Sequence, residues 1–328
     1  MKSRRAITSG LAGIGIAGIL GLGLPAGAAA QEKLKPLKVG VLKIAGLANA
    51  YAAKREKIFE KNGLDVTLVE FRSGADAITA QQSGAIDVAL AIPGTAMTAN
   101  ERGFDFLAVV QNEIVYDKGP DSGSVQVLKD SNLNSLKDLV GKKIAVAQKN
   151  SQNAITVMVA LRKAGVDPNQ LHWIEVPYPR HSDILRSKQV DAVAATEPYT
   201  TQMLTSGLGK VLSWNYAEAV PAAPLGVWWA KRSFIEKNQE ATSAFNKSIK
   251  ESIEFMNADV KRARQVTVEF TGLDPALVEQ MPPLRFDHRV RADKWQEVVD
   301  MMVEAKVLEK PHPAEEYFSE QMKGDIQK

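Results

Sequence analysis

A strand–helix–strand–helix–strand pattern runs through this sequence twice at nearly the same spacing. The first copy opens on Leu37-Lys38-Val39-Gly40-Val41-Leu42, an apolar run of the length of a buried strand. A helix is expected over 49–62, stopped by Gly63, since glycine readily takes the left-handed conformation that ends a helix. A strand over 66–71 and a helix over 75–83 follow, then the strand Ile86-Asp87-Val88-Ala89-Leu90-Ala91. The second copy has Ile144-Ala145-Val146-Ala147, a helix over 154–164, Trp173-Ile174-Glu175-Val176, a helix over 182–187 and Val190-Asp191-Ala192-Val193-Ala194-Ala195. Gly63-Leu64-Asp65 corresponds to Gly165-Val166-Asp167, and Ile86-Asp87-Val88 to Val190-Asp191-Ala192. Val39 to Ile86 is 47 positions and Ile144 to Val190 is 46. Strands alternating with helices imply crossover units and parallel sheets, so the chain is expected to be α/β, with two doubly wound lobes and mainly parallel sheets.

Hinge crossings should join the lobes. The stretch 111–124 includes Lys118-Gly119-Pro120-Asp121-Ser122-Gly123, rich in turn residues, and reads as a crossing or a loop beside one. A second boundary falls at Val220-Pro221-Ala222-Ala223-Pro224, before the strand Gly226-Val227-Trp228-Trp229-Ala230. Helices are expected over 238–258, 260–270, 274–280 and 292–306, completing the first lobe. The expected division is 1–30 as a leader, 31–115 with 226–328 as lobe one, and 116–225 as lobe two.

Residues 1–30 carry Lys2, Arg4 and Arg5, then the apolar run from Leu11 to Leu24, then Ala28 and Ala30 ahead of Gln31. This is the order of a secretory signal cut after Ala30. Arg4-Arg5 before a Gly-rich apolar run resembles a twin-arginine signal, with the ordinary secretory route as the alternative. The expected location is the periplasm. The 41 bases and 38 acids give a formal charge of +3, which those three leader bases supply; the body is neutral. A neutral body offers no field for nucleic acid, so none is expected as a partner. Cysteine is absent, which excludes disulfides and thiolate metal sites.

Ligands of open parallel sheets sit beyond the carboxyl ends of the strands. Helix N-termini there present unpaired N–H donors and partial positive charge, so two facing lobes suit a small anion. The candidate turns are Ala45-Gly46-Leu47, Gly94-Thr95 and Asn150-Ser151-Gln152. Thr95 and Ser151 could equally be ordinary helix caps. Arg180 could clamp an acidic group or be a solvated loop charge, and Glu197 could accept from an amine or hydroxyl on the ligand or cap a helix. Tyr199 or Trp228 would pack the ligand's carbon body; for Trp228 a purely structural role is the alternative.

No catalytic signature appears. The four histidines lack i, i+4 spacing, and no GxSxG elbow or phosphate loop is present. No cofactor, metal or enzymatic activity is expected.

The quoted residues carry a resemblance. Lys38-Val39-Gly40-Val41, Tyr51-Ala52-Ala53-Lys54, Ile58 through Val66, Ser83-Gly84-Ala85-Ile86-Asp87-Val88, Leu136 through Val146 and Glu197-Pro198-Tyr199 resemble the extracytoplasmic solute-binding proteins of sulfonate, nitrate and taurine importers. The resemblance implies a type II periplasmic binding protein fold, a monomer that closes on its ligand and delivers it to an inner-membrane ABC permease. The family's Gly-Ser after the second lobe's first strand is here Lys149-Asn150-Ser151, and the first loop is apolar. The expected ligand is therefore a small organic anion, either a sulfonate or an aromatic or aliphatic carboxylate. Two alternatives stay open: an exported enzyme on the same scaffold with Glu197 or His181 as acid–base, and a periplasmic sensor or accessory module for a pyrimidine-like ligand.

Overall fold

The computed structural model describes residues 34–149 and 151–327. The leader, its cut after Ala30 and the candidate Asn150 lie outside the described residues. Ten strands follow in chain order: β1 (Lys35–Val41), β2 (Leu64–Glu70), β3 (Val88–Ala91), β4 (Phe106–Ile114), β5 (Gly123–Leu128), β6 (Lys143–Val146), β7 (His172–Glu175), β8 (Ala192–Thr196), β9 (Gly209–Ser213) and β10 (Pro224–Lys231). They form two five-stranded sheets, ordered β2-β1-β3-β10-β4 and β7-β6-β8-β5-β9.

In each sheet four strands run one way and one is reversed. β1 pairs in parallel with β2 and β3, while β10 pairs antiparallel with β3 and β4. β6 pairs in parallel with β7 and β8, while β5 pairs antiparallel with β8 and β9. The reversed strand is, in each sheet, the one arriving directly from the other sheet. A chain leaving the carboxyl end of β4 or β9 crosses to the neighbouring carboxyl ends and must enter there, so it runs against its new neighbours. The mainly parallel α/β plan expected from the sequence is the one found.

The repeat has a physical counterpart at each sheet's centre. Asp87 Oδ2 accepts from the Lys38 N–H at 2.8 Å, and Asp191 Oδ2 accepts from the Lys143 N–H at 2.8 Å. Each aspartate thus ties the start of the third strand of its unit to the start of the first. Gly63 and Gly165, with φ of +82° and +79°, end the preceding helices in the left-handed region.

Three expectations are corrected. The helix over 49–62 is two pieces, Ala48–Arg55 and Ile58–Lys61, broken at Lys57 with φ +56°. The stretch 111–124 is not all loop: its ends belong to β4 and β5. β9 lies where no strand was expected. Phe245, Ile249 and Ile253 of the late helix Gln239–Asn257 share a core with Leu37, Val39 and Phe59 of the first sheet's elements. The second lobe's cores are smaller and aliphatic, built on residues such as Val125, Ile144, Leu161 and Val193.

Candidate functional site

The two crossings lie side by side. Val115 donates its N–H to the Ala223 carbonyl at 2.9 Å. A Cβ on Gly119 would stand 2.0 Å from the Trp214 ring, and one on Gly123 would stand 2.2 Å from Tyr216. Rings from the second crossing therefore rest directly on backbone of the first, which only glycine permits.

Three carboxyl groups with raised proton affinity come from different parts of the chain near these crossings, and the charge of Asp121 acts on both of the others. Glu113 is on β4, Asp121 is in the first crossing, and Glu197 follows β8. Burial pushes Glu113 up to about 8, and the charge of Asp121 adds to the shift. Burial raises Asp121 to about 6 against the stabilising N–H of Ser122, which Asp121 Oδ1 accepts at 2.6 Å. Burial also raises Glu197 to about 7; Asp121 adds to this, while Thr201, donating its hydroxyl to Oε1 at 2.8 Å, opposes it. Desolvation disfavours the charged form, and like charges drive carboxyls the same way. The nearby guanidinium of Arg285 is committed to Asp117 at 2.9 Å. Among the described residues, no lysine or arginine forms an ion pair with Glu113, Asp121 or Glu197.

Tyr116 and Tyr216 lie near Glu113 and Asp121, and Tyr178 lies near Tyr216. Tyr178 stacks on Tyr199 with centroids 6.0 Å apart. Burial raises Tyr178 to about 12 and Tyr216 well above its ordinary value, with the Asn153 amide beside both. Asn153 is 2% exposed and donates Nδ2 to the Ala195 carbonyl at 3.3 Å. Asp121 is 1% exposed, and the backbone N–H groups of Ser122, Tyr116 and Ala217 favour its charged form against burial.

The other residues expected at the site divide between wall and scaffold. Gly46 flanks Glu113, whose Oε2 would lie 2.5 Å from a Cβ there. Its neighbours Ala45 and Leu47 are buried in packed cores. Gly94 opens the helix Pro93–Glu101, with Thr95 beside it, and faces Met302 and the amide of Gln152. Gln152 is 1% exposed, and neither its nitrogen nor its oxygen has a partner. Met302 and Gln152 thus occupy the space in front of Gly94. Ser151 is engaged as a cap: it accepts from the Ala154 N–H at 3.2 Å and donates to the Gln148 carbonyl at 2.8 Å. Arg180 is exposed.

Trp228 is corrected. It is fully buried, edge-on to Phe245, and its indole N–H bonds Asn112 Oδ1 at 3.0 Å. It is scaffold rather than wall. Asn112 in turn donates to the Gly46 carbonyl at 2.8 Å, so the indole helps hold the turn beside Glu113. Sequence reasoning missed Glu113, Asp121, Asn153 and Tyr216. The one available signal was an acid closing the apolar run of β4. Among the described residues no group of three or more His, Asp or Glu is placed to hold a metal ion.

Comparison with known proteins agrees with the fold. The model of the NMT1-like family matches residues 30–271. The taurine-binding periplasmic protein of Escherichia coli is 26% identical over 202 residues, covering 61% of this chain and 60% of that protein. The periplasmic aliphatic sulphonate-binding protein SsuA of Escherichia coli superposes with a TM-score of 0.74 at 21% identity, covering 87% of this chain and 97% of that one. The alkanesulfonate-binding protein SsuA of Xanthomonas axonopodis pv. citri, bound to MOPS, superposes with a TM-score of 0.72 at 20% identity, covering 88% and 99%.

Proposed function

We propose a function on the premise that this chain belongs to the NMT1-like family: it is the periplasmic substrate-binding component of an ABC importer. It captures a small organic anion by closing one jaw, residues 31–115 with 226–328, on another, residues 116–225, and hands it to an inner-membrane permease. The observation that carries this reading is the side-by-side pair of crossings between two mainly parallel sheets, with buried polar groups of a crossing and of the second lobe, Asp121 and Asn153, both acting on Tyr216. Hinge closure lets both lobes supply groups to one ligand and then release it. The relatives named for aliphatic sulfonates and taurine support an acidic organic solute.

A screen of sulfonates, aromatic carboxylates, nitrate and pyrimidines by thermal unfolding tests the reading. A true ligand at 100 times its Kd stabilises the folded chain by about 2.7 kcal/mol and is recovered unchanged. No stabilisation by any of these classes contradicts it. A second reading, an exported enzyme, rests on Glu197: a carboxyl near 7 suits proton transfer at neutral pH. Product formed from the stabilising compound would favour that reading.

A further inference from the structure

We propose that Gln152 acts as a brake on closure: its amide, buried between helices of the two sheets without a hydrogen bond, biases the solute-free chain toward an open form. The inference rests on the two-jaw reading and adds a device that governs it.

The brake sits in a seam between two helices that touch. One, Gln152–Lys163, follows β6 of the second sheet. The other, Ala292–Glu304, shares a core with Trp229 of β10 in the first sheet. Ile155 of the second-sheet helix is 1% exposed and belongs to that same core, beside Met302. Val159, one turn further on, packs against it as well. At the outer end of the seam Arg162 pairs with Glu304 at 3.1 Å, with the side chains 39% and 63% exposed. Apolar burial favours the seam, and an ion pair this open to water adds little.

The inner end differs in kind. Gln152 is the first residue of its helix and is 1% exposed, yet among the described residues neither its Nε2 nor its Oε1 has a hydrogen-bond partner. Its cover comes from across the seam. Gly94 opens the first-sheet helix Pro93–Glu101, and a Cβ on it would stand 2.8 Å from Met302 Cε and 4.0 Å from Gln152 Oε1. A thioether donates nothing and accepts weakly, so Met302 covers the amide without bonding it. The flanking polar side chains are already engaged. Ser151 bonds the Ala154 N–H and the Gln148 carbonyl, and Asn153 bonds the Ala195 carbonyl.

An amide in water makes its full set of bonds. Removing that water without replacing it costs free energy, and here the cost falls on the closed form alone. Once the helices part, water reaches both atoms and the penalty ends. The seam therefore carries two opposed terms: Ile155 and Met302 hold it together, and Gln152 loosens it. A guest that bonds the amide lifts the penalty, so closure follows occupancy.

Single-molecule energy transfer between dyes at Lys137→Cys and Glu236→Cys, exposed positions on either side of the seam, reads the closed fraction of the solute-free full chain. Burial raises Glu113, Asp121 and Glu197 in the closed form, so protons on them favour closure; measurement at pH 8 leaves least of that help. Gln152→Met keeps the side chain's length and removes both polar atoms. It should raise the ratio of closed to open chain by about tenfold or more. Gln152→Glu puts a charge in the same place and should lower the ratio below the parent's. Ile155→Ala thins the apolar part of the seam and should lower it too. Urea unfolding gives a second readout: Gln152→Met should be no less stable than the parent, which a side chain held by bonds would not allow. A ratio for Gln152→Met equal to the parent's or lower, with two distances still populated, overturns the inference and leaves the two-jaw reading standing. One distance in every variant, unmoved by the sulfonates, carboxylates, nitrate and pyrimidines of the screen, overturns both.

Discussion

Asp87 and Asp191 perform one task in two lobes, each holding the first strand of its unit by the same 2.8 Å bond to a backbone N–H. Around them the lobes differ. The first carries Trp228, Trp229, Trp295, Phe59, Phe106 and Phe245 fully buried, with helices of the chain's last third packed on both faces of its sheet. The second lobe's core clusters are built on buried Val, Leu, Ile, Ala and Met side chains, with Trp173 and Tyr199 only partly buried against them. The comparison separates two layers of design. Backbone ties set the shared strand order, while side-chain bulk makes the first lobe the heavier anchor. Asp121, in a crossing, acts on Glu113 of the first sheet and on Glu197 beyond a strand of the second, so these carboxyls belong to neither lobe alone.

The sharpest way to break the anchor claim is to hollow the first core. Phe245→Ala removes a ring packed on both Phe59 and Trp228 and should cost about 3–5 kcal/mol in urea unfolding. A loss below about 1 kcal/mol would show that the aromatic core is not the anchor. The equivalence of the backbone ties is sharpened next. Asp87→Ala and Asp191→Ala should each cost about 1–2 kcal/mol, and by similar amounts, because each frees one N–H at a strand start. A cost in one lobe only would mean the ties are not equivalent. The smallest effect concerns the turn before each third strand. Gly84 has φ +79° with open space around it, whereas the corresponding Lys188 has φ +57°. Gly84→Ala should therefore lose about 1 kcal/mol, while Lys188→Gly should gain about 0.5 kcal/mol. A gain from Gly84→Ala or a loss from Lys188→Gly in thermal unfolding would refute the correspondence.

The repeat was legible because its markers are local. A glycine ending a helix and an aspartate directly before a buried strand repeat at fixed offsets and are recognised from their neighbours in sequence, although each aspartate bonds a backbone N–H 48 or 49 residues back. β4, β5 and β9 were not legible in the same way. β4 ends in the polar residues Gln111, Asn112 and Glu113, whose partners come from helices and strands far along the chain. Trp228 misled because alternation along a strand says which side a ring takes, but not that the helix Gln239–Asn257 covers that side. The coupling of Asp121 to Glu113 and to Glu197 could not be read, since the three lie on a strand of one sheet, in a crossing and after a strand of the other.

The chain contains no cysteine, so labels can be placed at will. Lys137→Cys and Glu236→Cys put spin labels at exposed positions of the second and first lobes. The distance between them, measured without solute at pH 5 and pH 8 and then with a stabilising solute at pH 8, tests closure most directly. Short, then longer, then short again is the predicted series. One unchanging distance under all three conditions would contradict a cleft that shuts on its guest.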